Sequence, residues 1–177
     1  MKRILIAGIG NVLLRDDGFG PCVVRMLAAR YRFGSDVEVA DLGTPGLDLI
    51  DYLIGRDSVI LIDSVKSGQR PGTILSYSMA EILRGQVAPR MGPHAPALTE
   101  TLLMMELLGS APADILLVGV VGESYELGCS LSEPVRMSVD SALDAIVCEL
   151  ARLGVRCALK QSCMEPENWW TKPLPVQ

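Results

Sequence analysis

Four side chains in this sequence have the types and positions to do chemistry together: Asp16, Asp17, Asp63 and His94. Asp16 and Asp17 follow the first short apolar run, and Asp63 ends a later one. His94, the single histidine of the chain, lies in a stretch rich in Pro and Gly. In a parallel α/β sheet, ligands gather beyond the carboxyl ends of the strands, and these residues fall at such strand ends or loops. Two carboxylates and one imidazole form a three-ligand set suited to zinc, nickel or a similar borderline divalent ion. Each residue also has a plainer role open to it. Asp16 and Asp17 precede a helix start, where carboxylates stabilise the positive end of the dipole. Asp63 could cap the turn after its strand, and His94 could be a surface loop residue.

Other chemistries have weaker support. Gly8-x-Gly10 after a strand resembles the opening of a dinucleotide fingerprint, with Asp41 as a ribose-binding acid. The third glycine of that pattern would fall at position 13, which is Leu13. Asp16 and Asp17 would also repel a diphosphate. A nucleotide-binding, Rossmann-like module therefore stays as the alternative. There is no Gly-x-Ser-x-Gly elbow, no Walker loop and no His-Glu-x-x-His helix. A serine or cysteine dyad would need His94 with Ser64 or Cys129, and neither lies in a nucleophile motif.

The elements that must position these groups alternate between strand and helix. Strands are expected at residues 3–7, 37–40, 58–62, 73–77 and 115–121. The fourth is the weakest and could be an antiparallel edge. The last is apolar throughout, as in a sheet covered on both faces. Helices are expected at 21–31, 47–54 with Thr44 as cap, 79–83, 97–108 and 132–153. Their inner faces are marked by Val23, Val24, Leu27 and Tyr31; by Leu98, Leu102, Met105 and Leu108; and by Val135, Val139, Leu143 and Val147. The pattern predicts a three-layer α/β sandwich: a mostly parallel, five-stranded twisted sheet with helices on both faces.

A chain of 177 residues supports one domain, expected at 1–159, with residues 160–177 a loosely ordered tail holding Trp169 and Trp170. Hydrophobic residues at 49% against 21% charged indicate a globular chain. The net charge of −5 argues against a general nucleic-acid binder. The first apolar run is too short for a signal peptide, and no run is long enough to cross a bilayer, so a cytoplasmic location without membrane insertion is expected. The five cysteines (Cys22, Cys129, Cys148, Cys157 and Cys163) include no Cys-x-x-Cys pair. They are expected to be reduced, and mostly small buried hydrophobes.

Several segments, taken in order, resemble one family. Residues 4–20, ILIAGIGNVLLRDDGFG, are similar to a strand, a Gly-x-Gly-Asn turn and an Asp-Asp/Glu-x-x-Gly segment of the hydrogenase maturation proteases. The same family pattern is matched by Gly43-Thr44-Pro45-Gly46, by Asp63 after its strand and by Pro71-Gly72-Thr73. Gly92-Pro93-His94 and residues 118–132 complete the resemblance, which covers about residues 3 to 153. It implies an endopeptidase, aspartic-type in the sense that it uses no serine or cysteine, that removes the C-terminal extension of a nickel-loaded nickel–iron hydrogenase large-subunit precursor. Carried over, the family's metal-binding positions fall on Asp17, Asp63 and His94, with Asp16 a neighbour rather than a ligand. The resemblance also implies that nickel arrives on the substrate, that other divalent ions could take its place in vitro, and that the precursor is the partner. A chaperone that binds the precursor without cutting it is a further alternative.

Overall fold

The computed structural model describes residues 2–87 and 98–161. His94, Cys163, both tryptophans and the expected tail beyond Gln161 lie outside the described residues.

The first apolar run forms strand β1, Ile4–Ile9. It carries two residues more than its apolar run suggested, because Gly8 and Ile9 keep pairing with the neighbouring strand across a register shift. A short 3-10 turn, Arg15–Gly18, leads into helix α1, Phe19–Arg30. Pro21 is the third residue of that helix, within the first turn whose N–H groups have no intrahelical partner. Val23, Val24 and Leu27 are buried as the spacing predicts, while Tyr31 has already left the helix. It begins a two-residue strand, β2, Tyr31–Arg32.

Strand β3 is Val37–Gly43, followed by a 3-10 turn at Gly46–Asp48 and helix α2, Leu49–Leu53. Thr44 does not cap it: the turn starts from Pro45 with no side-chain cap bond. Strand β4, Ser58–Val65, runs past Asp63 and so places that carboxylate within its last residues. Strand β5, Ile74–Ser78, and helix α3, Met79–Leu83, follow. The Glu81 carboxylate accepts from both Ser78 N–H (2.7 Å) and Ser78 Oγ–H (2.6 Å), which fixes where α3 starts. Helix α4 is Leu98–Leu107 and strand β6 is Asp114–Val121. Leu102 and Met105 are buried, but Leu108 lies beyond the helix and is 67% exposed.

The long final helix expected from 132 to 153 is instead two: α5, Glu133–Met137, and α6, Val139–Arg152. Ser138 is the reason. Its buried hydroxyl donates to the Val135 carbonyl at 2.7 Å, competing for the acceptor that the Val139 N–H would use in a continuous helix. Val135, Val139 and Leu143 remain buried, but the inner face then passes to Ile146 and Leu150 rather than Val147. A last strand, β7, Ala158–Leu159, pairs antiparallel with β2.

The main sheet has the order β3-β1-β4-β6-β5, with every pair parallel except the β5 edge, which runs antiparallel to β6. Alternation along the strands divides the core. Ile4, Ile6, Ile60, Ile62 and Val118 join α1 and α6 on one face. Leu5, Val59, Leu61 and Leu117 join α2, α3 and α4 on the other. The three-layer α/β expectation is therefore met. The four described cysteines are free thiols, as expected, but the expectation that most are buried is not met among them. Cys129 and Cys148 are exposed, and Cys22 and Cys157 are partly covered. Among the described residues, no helix is long and apolar enough to cross a membrane.

Chain order reverses at β1, which is flanked by β3 on one side and β4 on the other. Such a switch point opens a crevice at the carboxyl ends of the strands. The start of α1 is pressed into it. A Cβ on Gly20 would lie 2.4 Å from the carbonyl oxygens of both Ile62 and Ile9. Gly20→Ala should therefore destabilise the protein by about 3 kcal/mol, since backbone rather than a flexible side chain must move. Gly68→Ala, where a new methyl meets nothing within 4 Å, should change stability by less than about 0.5 kcal/mol. Urea unfolding of the two variants checks the contrast.

Candidate functional site

Asp16 and Asp17 are neighbours on the 3-10 turn, yet they do different things. Asp16 is completely buried. Its Oδ2 accepts from Glu123 N–H (2.8 Å), Ser124 N–H (2.9 Å) and Ser132 Oγ–H (2.8 Å), and its Oδ1 accepts from Ser132 N–H at 2.7 Å. All four donors belong to the segment between β6 and α5. A buried carboxylate costs heavily unless its lone pairs are satisfied, and one loop satisfies them. Asp16 thus fastens that loop to the entry of α1. The plain reading of Asp16 as a helix-dipole partner missed this role.

Asp17 points to the other side of the turn and keeps 9% of its surface exposed. Its Oδ2 accepts from Asn11 N–H at 2.8 Å, and its Oδ1 receives a longer bond from Ser64 Oγ–H at 3.4 Å. Ser64 N–H in turn donates to Asp63 Oδ1 at 2.7 Å. Ser64, 1% exposed, therefore links the two carboxylates: its hydroxyl touches Asp17 and its amide touches Asp63. Residues far apart in the chain meet at this point because β1 and β4 are adjacent parallel strands and end at the same edge. The structure brings Asp17 and Asp63 to this edge. The third expected member, His94, lies outside the described residues. Among the described residues, no three Asp, Glu, His or Cys side chains form a metal-binding group.

The glycines of the first turn serve packing. A Cβ on Gly8 would fall 2.4 Å from the Gly20 carbonyl oxygen, and one on Gly10 would fall 1.8 Å from that of Asp17. Gly10 also has φ 141°, a backbone that side chains rarely adopt. The Asn11 N–H, placed where a dinucleotide turn presents amides to phosphate, is already bonded to the Asp17 carboxylate. Asp41 is turned onto its own loop, accepting from Gly43 N–H at 3.0 Å. Among the described residues, neither group is left to take up a dinucleotide. The dyad candidates fare no better: the Ser64 hydroxyl donates to Asp17, and Cys129 lies exposed on a loop. Burial pushes the Cys22 thiol, which lies in no nucleophile motif either, up to about 11. Beside the carboxylates, an open groove of about 260 Å³ runs between the ends of β1 and β3, lined by Gly10, Asn11, Asp41, Gly43 and Thr44 among others.

Comparison with known proteins identifies the fold and its class. A family model described as hydrogenase maturation protease matches residues 21–149, and that span includes Asp63. The chain belongs to the hydrogenase maturation protease family. It is 38% identical over 164 residues to the hydrogenase expression/formation protein HoxM of Azotobacter vinelandii, covering 92% of this chain and 79% of that one. Among solved structures, the hydrogenase maturating endopeptidase HybD from Escherichia coli superposes with a TM-score of 0.83 at 31% identity, covering 89% of this chain and 98% of HybD. A [NiFe] hydrogenase maturation protease HybD from Thermococcus kodakarensis gives a TM-score of 0.62 at 28% identity, covering 84% and 99%. This protease is accordingly a peptidase acting in hydrogenase maturation, and the nucleotide-binding alternative falls away.

Asp16→Asn should destabilise the protease by about 2–3 kcal/mol, because the amide's NH2 must face a donor that the carboxylate oxygen accepted. A denaturant melt compared with wild type checks it, and a change below about 0.5 kcal/mol would contradict the fastening role.

Proposed function

We propose that this protease removes the C-terminal extension of a nickel–iron hydrogenase large-subunit precursor, and that it does so after recognising the nickel the precursor carries. Asp17, Asp63 and His94 are the residues assigned to that recognition. The observation that carries the reading is the meeting of the Asp17 and Asp63 carboxylates on Ser64, at the shared carboxyl edge of β1 and β4. Family membership supports the substrate class, since the relatives' names place them in hydrogenase maturation.

The chemistry follows from the donor set. Carboxylate oxygens and an imidazole nitrogen are suitable partners for a divalent nickel ion already held by the precursor. Their contact would seat the precursor with its extension across the open groove beside Gly10 and Thr44. Hydrolysis then requires a water at the scissile carbonyl carbon and a base to take its proton, a task open to a carboxylate of this site. The C–N bond breaks, and the proton leaves with the new amine of the extension. Only a metal-loaded precursor offers the full set of contacts, so cutting is tied to completed loading. The holding role calls for no resident metal in the protease; the nickel is part of the substrate.

The test is to incubate the protease with nickel-loaded and nickel-free precursor and follow the precursor's mass. Trimming of the loaded form alone is expected; equal trimming of both would refute nickel recognition, and a stable complex with intact loaded precursor would point to a non-cleaving chaperone. Asp17→Asn and His94→Ala should each lower processing by about 100-fold or more, the scale of losing a catalytic base, with both variants still folded by circular dichroism.

A further inference from the structure

Arg15 is the only non-glycine among the described residues with a left-handed backbone, at φ 44°. Arginine gains nothing from that conformation by itself. It is imposed by a short zipper between the loop after β1 and the loop after β6. Arg15 N–H donates to Gly128 O at 2.8 Å, Gly128 N–H to Leu13 O at 2.9 Å, and Asp16 N–H to Ser124 O at 3.1 Å. Gly128 also makes room for the side chain. A Cβ there would lie 3.2 Å from Arg15 Cγ and 3.3 Å from Arg15 Nε.

The guanidinium so positioned has an unspent donor. Arg15 Nε is buried with no hydrogen-bond partner among the described residues, although buried donors are nearly always satisfied in a native fold. The nearest acid in sequence, Asp16, is fully occupied by its own loop. Strained backbone persists where surrounding structure over-determines it, and such residues concentrate at ligand clamps. Arg15 opens the same 3-10 turn that carries Asp17, in a chain of net charge −5. A planar fork of N–H donors at that place matches oxygen acceptors on an incoming polypeptide.

We propose that Arg15 is a substrate-binding residue, whose guanidinium donates to carbonyl or carboxylate oxygens of the precursor segment leading to the scissile bond. The inference rests on the processing function proposed above and adds the contact that holds the polypeptide, as distinct from its metal. The variants Arg15→Asn and Arg15→Gly both tolerate left-handed backbone, so each removes the fork while leaving the zipper intact. Both should raise KM for nickel-loaded precursor about tenfold, the scale of one charge-assisted hydrogen bond. Their kcat should stay within about twofold, and their melting temperatures should not fall. Arg15→Lys should recover part of the loss, since it keeps the charge but not the fork. If the acceptor is a carboxylate, the tenfold effect shrinks as salt is raised; if it is a main-chain carbonyl, the effect persists. Wild-type KM in the Asn and Gly variants, or a loss confined to kcat, would overturn the proposal. Should the wild-type protease fail to trim the precursor at all, the processing reading fails, and the same variants' Kd for loaded precursor still decides the role of Arg15: weakening supports it, and equal Kd overturns it.

Discussion

A single buried charge organises this molecule. The Asp16 carboxylate has no access to solvent, and all four of the hydrogen bonds that make it tolerable come from the segment between β6 and α5. Remove those donors and an ion would be stranded in the interior. With them in place, the loop after β1 and the loop after β6 behave as one piece. Everything attached to that piece is then fixed, including the orientation of Asp17 and the strained backbone of Arg15. The close approach of α1 to the ends of β1 and β4, which only glycine at positions 8 and 20 permits, sets the same piece against Asp63 and Ser64.

The site gains a division of labour from this. Two adjacent carboxylates occupy a turn with three residues per revolution, so they project in directions about a third of a turn apart. One is spent on structure. The other keeps 9% of its surface exposed and a long, weak bond from Ser64. A carboxylate that meets a second one through a shared serine is an environment that favours an incoming cation over an anion. That preference suits a substrate recognised by the metal it carries. It also explains why the turn, despite its Gly-x-Gly pattern, presents no anion site: the Asn11 amide that could have faced a phosphate is bonded to Asp17.

Much of this architecture is legible in the sequence, for identifiable reasons. Continuous apolar runs such as residues 59–62 and 115–118 mark strands buried on both faces, and Asp63 stands out as the first charged residue after one of them. A parallel sheet puts Asp17 and Asp63 at the same edge, beyond the carboxyl ends of the strands, while the adjacency of β1 and β4 that draws them together is seen only in the structure. What stays illegible depends on contacts distant in sequence. Nothing local distinguishes Asp16 from Asp17, because burial of the first is decided by amides more than a hundred residues away. Ser138 splits the final helix through a side-chain bond that the spacing of valines does not reveal. The β2–β7 ribbon is two residues long on each side, too short for any periodic signal. Leu108 continues a helical spacing but falls after the helix has ended.

The central claim is that side chains of this protease enter the coordination shell of nickel carried by the precursor. X-ray absorption at the nickel edge measures that shell directly, comparing loaded precursor alone with its complex trapped in the cold before cleavage. The account predicts that nickel gains oxygen and nitrogen neighbours on complex formation, and that Asp63→Asn diminishes the gain. A tight complex whose nickel keeps the same neighbours as in the free precursor would contradict it.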